Sequence, residues 1–552
     1  MQKKYVVIHI VLIIILGFLT YANSLNGKFL WDDDFLVKNN VYIKNWTCLP
    51  KIFTENIGAG ARSKYIFYRP LQMITYMIDY SFWKSNPAGY HLTNIFIHIL
   101  VALCIYWFIN IIFGNKILAF LTSIFFLIHP IHTEVASYIS GRCDSLAFLF
   151  ILSAFILYIK QLHFESITTY IFMLLCYILA LLSKENSLIL PALLWLYHYT
   201  FKVKFKNKEF LSILSLAFLY SILRLTLLRG LLSGEPSNTT VLERLPGFFV
   251  ATANYLRLLF LPQDLHMEYG SPLFKFTDPK ALAGMAILFS SVIFAFLTRK
   301  KNRLISFALL WFFIALFPVS NLYPVNAYMA EHWLYVPSMG FFLLLAYLLS
   351  SLYKRKESRI FTIILTVTLS APYAYLAIRQ NNYWSEPINF YERTLKYTPY
   401  SPRMLNNLGD AYDKIGKQEK AIVFYKEAIK FDVNCAEAYN NLGNAYVKLG
   451  KNEDAIAYYK AAIAINPNYA EIYNNLASVY AIIGKYEDAI LILEKAIEAD
   501  PNYAMLYNNL AAAYFNKKEY DSAIKYCDKA ITLGYKVDPV FLKLLEPFRD
   551  KK

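Results

Sequence analysis

The feature that most limits how this chain can fold is the spacing of its apolar residues. Before about residue 380 they gather into stretches long enough, or nearly so, to cross a bilayer. These run at 5–22, 93–113, 117–129, 144–160, 167–183, 186–200, 210–228, 281–298, 304–319, 333–352 and 360–378. In hydrocarbon each backbone N–H and C=O must be satisfied within its own segment, which selects helices and gives about eleven spans. The stretch 248–262 is apolar but carries Asn254 and Arg257, and is expected to be re-entrant or interfacial. Leu71 to Trp83 is short and aromatic, as suits a helix lying on the membrane surface. Charged residues make up 17% of the chain, against roughly 25% in soluble proteins. The shortfall lies almost wholly before residue 380, so a polytopic membrane part is followed by a polar one. Met1-Gln2-Lys3-Lys4 has the charge of a signal peptide, yet no small-residue cleavage site precedes Leu25-Asn26-Gly27, and a retained helix is expected.

The net charge of +16 could suit a nucleic-acid binder, but the basic residues sit in short loops between apolar stretches. Lys202, Lys204, Lys206 and Lys208 form one such loop, Arg299, Lys300, Lys301 and Arg303 a second, and Lys354, Arg355, Lys356 and Arg359 a third. By the positive-inside rule all three fall on the cytoplasmic face if the chain begins inside. The external or lumenal face then receives the Asp32–Asp34 loop, His129 to Asp144, Ser183 to Asn186, Arg229 to Lys280, Asn321 to Trp333 and everything after Ile378. A transporter would carry its charges near the midplane; here they lie at the outer ends of helices. The six cysteines show no CxxC and no zinc spacing, which argues against a disulfide framework or a zinc site.

Several groups share that outer face. Asp32, Asp33 and Asp34 are adjacent carboxylates that repel one another and gain nothing by burial. In isolation such a run reads as a solvated turn; the company it keeps gives it chemical interest. Arg69, in Tyr68-Arg69-Pro70-Leu71, suits a phosphate or a headgroup anchor. His129, His132, Glu134, Arg142 and Asp144 place two imidazoles, two carboxylates and a guanidinium within sixteen residues, without the HExxH of a zincin. Lys184-Glu185 reads as a self-satisfied ion pair capping a helix. Glu331-His332, with Tyr335 behind it, sets an acid beside a cation and suits either an anionic headgroup or a structural pair.

The C-terminal part repeats every 34 residues. Asn406-Asn407, Asn440-Asn441, Asn474-Asn475 and Asn508-Asn509 keep that period, as do Ala421, Ala455, Ala489 and Ala523. A helix–turn–helix of this length with small residues at the close approach is a tetratricopeptide repeat. Two Asn per repeat cost helix propensity. One of each pair is expected to face the concave groove, so that Asn407, Asn441, Asn475 and Asn509 form an amide ladder suited to a peptide backbone. Ordinary consensus usage accounts for the pairs equally well. The expected organisation is all-α: a polytopic membrane domain over 1–380, a half-repeat over 381–400 joining the last span to the solenoid, four repeats over 401–536 and a cap over 537–552.

The order of motifs Asp32-Asp33…Val37-x-Asn39-Asn40, Tyr68-Arg69-Pro70-Leu71, His91-x-x-Asn94, His129-Pro130-x-His132-x-Glu134, Gly141-Arg142-x-Asp144, Ser183-Lys184-Glu185 and Glu331-x-x-Leu334-Tyr335-x-Pro337-Ser338, followed by the repeats, resembles the transmembrane and tetratricopeptide-repeat O-mannosyltransferases of the GT-C glycosyltransferase superfamily. That family commonly has Arg after the Glu of the last motif, where this chain has His332. The resemblance implies a GT-C-like fold and a polyprenyl- or dolichyl-phosphate mannose donor. It implies a protein Ser/Thr hydroxyl as acceptor, recruited by the repeats. It marks Asp33 or Asp32 as the base, with Asp34 an extra. Arg69, Arg142, Lys184 and His332 are then candidates for the donor phosphate, with Glu134, Asp144 and Glu185 beside them. A divalent Mg or Mn ion is compatible with these carboxylates but is not required. The competing class is a non-enzymatic scaffold whose repeats assemble an envelope or secretion complex.

Overall fold

The computed structural model describes residues 2–61, 63, 67–228, 239–322 and 327–549. Residues 229–238 of the stretch Arg229 to Lys280, residues 323–326 of the stretch Asn321 to Trp333 and residues 550–552 of the cap lie outside them. The protein is all-α: among the described residues every regular element is helical. It forms two compact units, Met1–Phe390 and Tyr391–Lys552.

In the first unit each apolar stretch has become helix, and polar residues set the ends. Asn86 accepts from Ala88 N to open Pro87–Phe113, and Asn115 accepts from Ile117 N and Leu118 N to open Lys116–Ile128. Among the described residues five helices are, by length and composition, long and apolar enough to cross a membrane: Tyr5–Asn26, Pro87–Phe113, Ile139–His163, Pro279–Thr298 and Lys356–Tyr383. A sixth arises if Lys116–Ile128 and Pro130–Ser137, bent by 58°, are one span. That bend sits at Pro130, whose ring and missing N–H interrupt the helical ladder. Ile167–Ser183, Arg303–Val319 and Ser338–Tyr353 are apolar but shorter. Asn207–Leu225 carries Lys208, Glu209 and Arg224.

The stretch 248–262, expected to be re-entrant or interfacial, is helical as far as Phe260. It belongs to a continuous helix, Val241–Phe260, opened by a capping box in which Thr240 and Glu243 satisfy each other's backbone. This helix lies against Pro279–Thr298 so closely that a Cβ on Gly284 would stand 1.8 Å from Phe249 O.

The second unit takes in the end of the helix Pro387–Tyr397 and then four helix pairs, beginning Pro402–Lys414 with Gln418–Phe431 and ending Ala504–Asn516 with Tyr520–Thr532, followed by Pro539–Arg549. Ala421, Ala455, Ala489 and Ala523 are fully buried where the paired helices meet. The turn inside each of the first three repeats uses a glycine at positive φ, Gly416 (+78), Gly450 (+73) and Gly484 (+77). In the fourth, Lys518 holds φ +67, which costs a side chain about 1–2 kcal/mol. The inner contact also changes along the row. A Cβ on Gly409 would lie 2.5 Å from Tyr425 Cε1, and one on Gly443 2.6 Å from Tyr459 Cε1. In the last two repeats Ala477 and Ala511 take the glycine positions, and Leu493 and Cys527 the tyrosine positions.

Candidate functional site

The site is built around the short segment Tyr138–Asp144, a 3-10 turn (Ile139–Gly141) running into the helix Arg142–His163. Its backbone is held from several sides. Tyr76 Oη donates to Ile139 O at 3.0 Å, Gln72 Nε2 to Ser140 O at 2.9 Å and Asn94 Nδ2 to Tyr138 O at 2.9 Å. Asp33 completes the clasp. Its Oδ1 accepts from both the N–H and the hydroxyl of Ser140, and its Oδ2 from Leu30 N.

The two candidate bases are therefore separated by environment. Asp33 is 1% exposed, with both oxygens engaged. Burial pushes its carboxyl up to about 8 against the pull of the Ser140 and Leu30 donors, and the Asp32 charge adds to the rise. Asp32 is only half-buried, and its N–H donates to Tyr138 Oη at 3.2 Å. Trp31, just before it, holds φ +48, a strained conformation for an aromatic residue of the kind that gathers at functional loops. Asp34 is turned to Lys38, 3.7 Å away.

On the other side of the segment lies a cluster of charges. Lys184 Nζ reaches both oxygens of Asp144, at 2.7 and 2.8 Å. Arg69 Nη2 donates to Glu185 Oε1 at 3.1 Å and Nη1 to Cys143 Sγ at 3.3 Å. Lys184 and Glu185 thus pair away from each other, which corrects the reading of a self-satisfied local pair. Sequence neighbours at the end of a helix diverge, and each meets a partner from another element. Burial opposes charge on all of them, but the neighbours win. Cys143, Glu185 and Asp144 move the Arg69 guanidinium up, and Asp144 holds the Lys184 ammonium up. Arg69, Arg224 and Lys184 pull Glu185 down to about 2. Arg69, Lys184 and Glu185 are ionised throughout the physiological range.

Arg142, in contrast, is sealed. It is 0% exposed, with Nη1 2.6 Å from Asp79 Oδ2, Nε donating to Asn94 Oδ1 at 2.6 Å and Nη2 to Tyr90 O at 2.9 Å. It is spent on the scaffold and offers no face to a phosphate. His332 meets Glu134 instead of the cluster. Its Nδ1 is 2.6 Å from Glu134 Oε1, and its N–H donates to Glu134 Oε2 at 3.1 Å. Glu331 is buried and accepts from His266 N at 2.6 Å and Tyr269 Oη at 2.7 Å.

His129, His132 and Tyr335 are all fully buried. His129 Nε2 donates to Leu259 O and its Nδ1 accepts from Ile131 N; His132 Nδ1 donates to Phe126 O, and its Nε2 meets Ser338 Oγ. Tyr335 Oη is 2.6 Å from His98 Nδ1. One nitrogen giving and one receiving is the pattern of a neutral imidazole in a structural role. Among the described residues no group of three or more His, Cys, Asp or Glu side chains is placed to hold a metal ion.

Sequence reasoning missed Asp79, Ser140, Asn94 as the brace of Arg142, and Arg224. A lone carboxylate in the aromatic stretch Leu71 to Trp83 was the available signal for Asp79. A lone guanidinium at the end of an apolar stretch was the signal for Arg224.

In the second unit the Asn pairs bond to one another from repeat to repeat. Asn441 Nδ2 donates to Asn406 Oδ1 at 3.1 Å, Asn475 to Asn440 at 3.0 Å and Asn509 to Asn474 at 2.7 Å. Each of Asn441, Asn475 and Asn509 thus spends one amide hydrogen on its neighbour. Asn407 occupies the first position of the row and is half-buried.

Comparison with known proteins bears on both units. Family models described as tetratricopeptide or TPR repeats match residues 409–450, 434–502 and 504–533. The chain is 28% identical over 431 residues to protein O-mannosyl-transferase F38B6.6 of Caenorhabditis elegans, covering 73% of this chain and 59% of that protein. It is 26% identical over 478 residues to protein O-mannosyl-transferase TMTC1 of Homo sapiens, covering 73% and 53%. To protein O-mannosyl-transferase TMTC3 of Mus musculus it is 25% identical over 449 residues, covering 73% and 49%. The chain spans about half the length of the curated relatives it matches.

Proposed function

We propose that this membrane protein is a glycosyltransferase of the GT-C kind that moves mannose from a polyprenyl- or dolichyl-phosphate carrier to Ser/Thr hydroxyls of proteins. The observation that carries the reading is the two-sided use of the Tyr138–Asp144 segment. One side is clasped by Asp33 next to Asp32; the other feeds Asp144 into the cluster of Lys184, Arg69 and Glu185. Ser140 and Asp144 are four residues apart in helical geometry, roughly 6–8 Å along the axis. A carboxylate pair and a group of cations are thereby held on opposite sides of one short segment. The relatives named O-mannosyl-transferases support the same reading.

In this reading Asp32 is the general base. It takes the proton of the acceptor hydroxyl while that oxygen forms a bond to C1 of the mannose. The bond from C1 to the phosphate oxygen breaks, and its electron pair leaves with the polyprenyl phosphate. Arg69 and Lys184 stabilise the charge that grows there. Asp33 holds the Ser140 turn, and Arg142 holds the scaffold beneath it. The repeats recruit the acceptor, and the chemistry lies on the external, periplasmic or lumenal face, because the basic loops occupy the other.

The test is transfer by the purified protein in lipid nanodiscs, using mannosyl-phosphoryl-polyprenol and a Ser/Thr peptide, with mass spectrometry of the product. Mannosylated peptide from wild type and none from Asp32→Asn is expected. Equal product from Asp32→Asn, or none from wild type, overturns the assignment.

A further inference from the structure

Arg224 enters the charged cluster from a helix that the sequence offered only as a span. It lies in the last turn of Asn207–Leu225, 21% exposed, with Nη1 3.8 Å from Glu185 Oε2 and 3.4 Å from Tyr220 Oη. Glu185 therefore stands between two guanidiniums, with Arg69 on one oxygen and Arg224 facing the other. Two polar atoms here are buried without a hydrogen-bond partner, Arg69 Nε and Glu185 Oε2. Buried polar atoms are nearly always satisfied, and the orphaned Arg69 Nε calls for an acceptor, which a phosphate oxygen supplies; Glu185 Oε2 has the Arg224 charge 3.8 Å away. The charges agree. Arg69, Arg224 and Lys184 face Asp144 and Glu185, one positive charge in excess. A lipid-linked sugar phosphodiester brings a single negative charge.

We propose that Arg224 is a second guanidinium of the lipid-phosphate site, gripping with Arg69 the phosphate that Glu185 keeps both aimed at. The inference rests on reading this cluster as the donor site. Its consequence is chemical. The phosphodiester becomes a phosphate monoester on transfer and gains negative charge, so the second guanidinium counts for more at the leaving-group stage than in substrate binding. Arg also suits the task better than Lys, because its planar fork can present two N–H groups to two phosphate oxygens.

The experiment uses the full chain in nanodiscs and measures binding of polyprenyl phosphate and of uncharged polyprenol to wild type, Arg224→Gln, Arg224→Lys and Arg69→Gln. Mannosyl transfer is measured beside it. Arg224→Gln should loosen polyprenyl phosphate about tenfold or more and leave polyprenol binding and the thermal midpoint unchanged. It should lower kcat more than it raises the donor KM. Arg224→Lys, which keeps the charge and the packing stem, should recover part of the affinity and guards against a folding defect in the Gln variant. Wild-type affinity for polyprenyl phosphate in Arg224→Gln, with Arg69→Gln impaired, overturns the role of Arg224 and leaves the donor site standing. Equal loss of polyprenol and polyprenyl phosphate also overturns it, by making Arg224 a packing residue. A wild type that neither binds the lipid phosphate nor transfers mannose removes both readings together.

Discussion

Arg142 and Arg69 are both arginines paired with carboxylates beside the same short segment, yet their surroundings differ in kind. Arg142 is 0% exposed, and its guanidinium meets Asp79, Asn94 and Tyr90. Arg69 has a side chain 12% exposed, shares Glu185 with a second arginine and keeps a buried Nε without a partner. A guanidinium whose donors are spent on the protein specifies structure. One with a donor in reserve is available to a ligand.

The largest effect should come from breaking the sealed pair. Arg142→Ala leaves the buried Asp79 carboxylate without its counterion, a loss of about 3–5 kcal/mol. It should show as a steep fall in thermal midpoint and folded yield, whereas Arg69→Ala should unfold near the wild-type temperature. Equal losses in the two variants would erase the distinction between them.

Next in size is catalysis. Arg69→Gln should lower mannosyl transfer by about 10²-fold or more, the usual effect of removing one preorganised donor at a developing charge, with the fold intact. A turnover close to wild type would move Arg69 to the structural side.

Asp33 extends the sealed region to pH. Its folded pKa of about 8 lies above the unfolded value near 3.9, so the native state holds a proton that the unfolded chain releases. Its contribution is therefore full below about pH 4 and is lost as pH rises toward 8. A one-unit shift alone is worth about 1.4 kcal/mol, so thermal midpoints should fall across that window by at least a matching amount. Asp33→Asn should flatten the slope. A midpoint that rises with pH in wild type and not in the variant would mean that the Ser140 and Leu30 donors outweigh burial.

The smallest effect belongs to His332→Arg. Glu134 would keep a hydrogen-bonding partner either way, so stability should change by no more than about 0.5 kcal/mol and transfer by about twofold or less. A tenfold gain in donor affinity would instead bring this position into the open cluster.

These contrasts were unevenly legible in the sequence. The repeats were readable to the residue, because a fixed period of 34 multiplies a weak local signal four times. The apolar stretches announced helices, but length and composition did not show that a short helix would follow 117–129 across a 58° bend or that 248–262 would join a longer capped helix. The charged motifs revealed which residues to watch and hid their pairing. Lys184 and Glu185 are adjacent in sequence yet turn to Asp144 and Arg69. Arg142 and Arg69 look equivalent as text, and only the burial of Asp79 beside one of them tells scaffold from site. Pairings of this kind depend on which helices meet, and a single sequence carries no local record of that.

The exchange of glycine and tyrosine for alanine and a smaller partner has a consequence for how the repeats can be shuffled. Gly409 and Gly443 exist to admit Tyr425 and Tyr459, while Ala477 and Ala511 stand in register with Leu493 and Cys527. A chimera that joins the first helix of the third repeat to the second helix of the second would press a methyl group into a tyrosine ring. The reverse splice would leave a gap where that ring belongs. Recombination that cuts between repeats keeps each matched couple together, and recombination that cuts within one separates it. The array is thus a row of indivisible cassettes of two dialects, and its admissible breakpoints, in evolution or in the laboratory, are the connections from one cassette to the next.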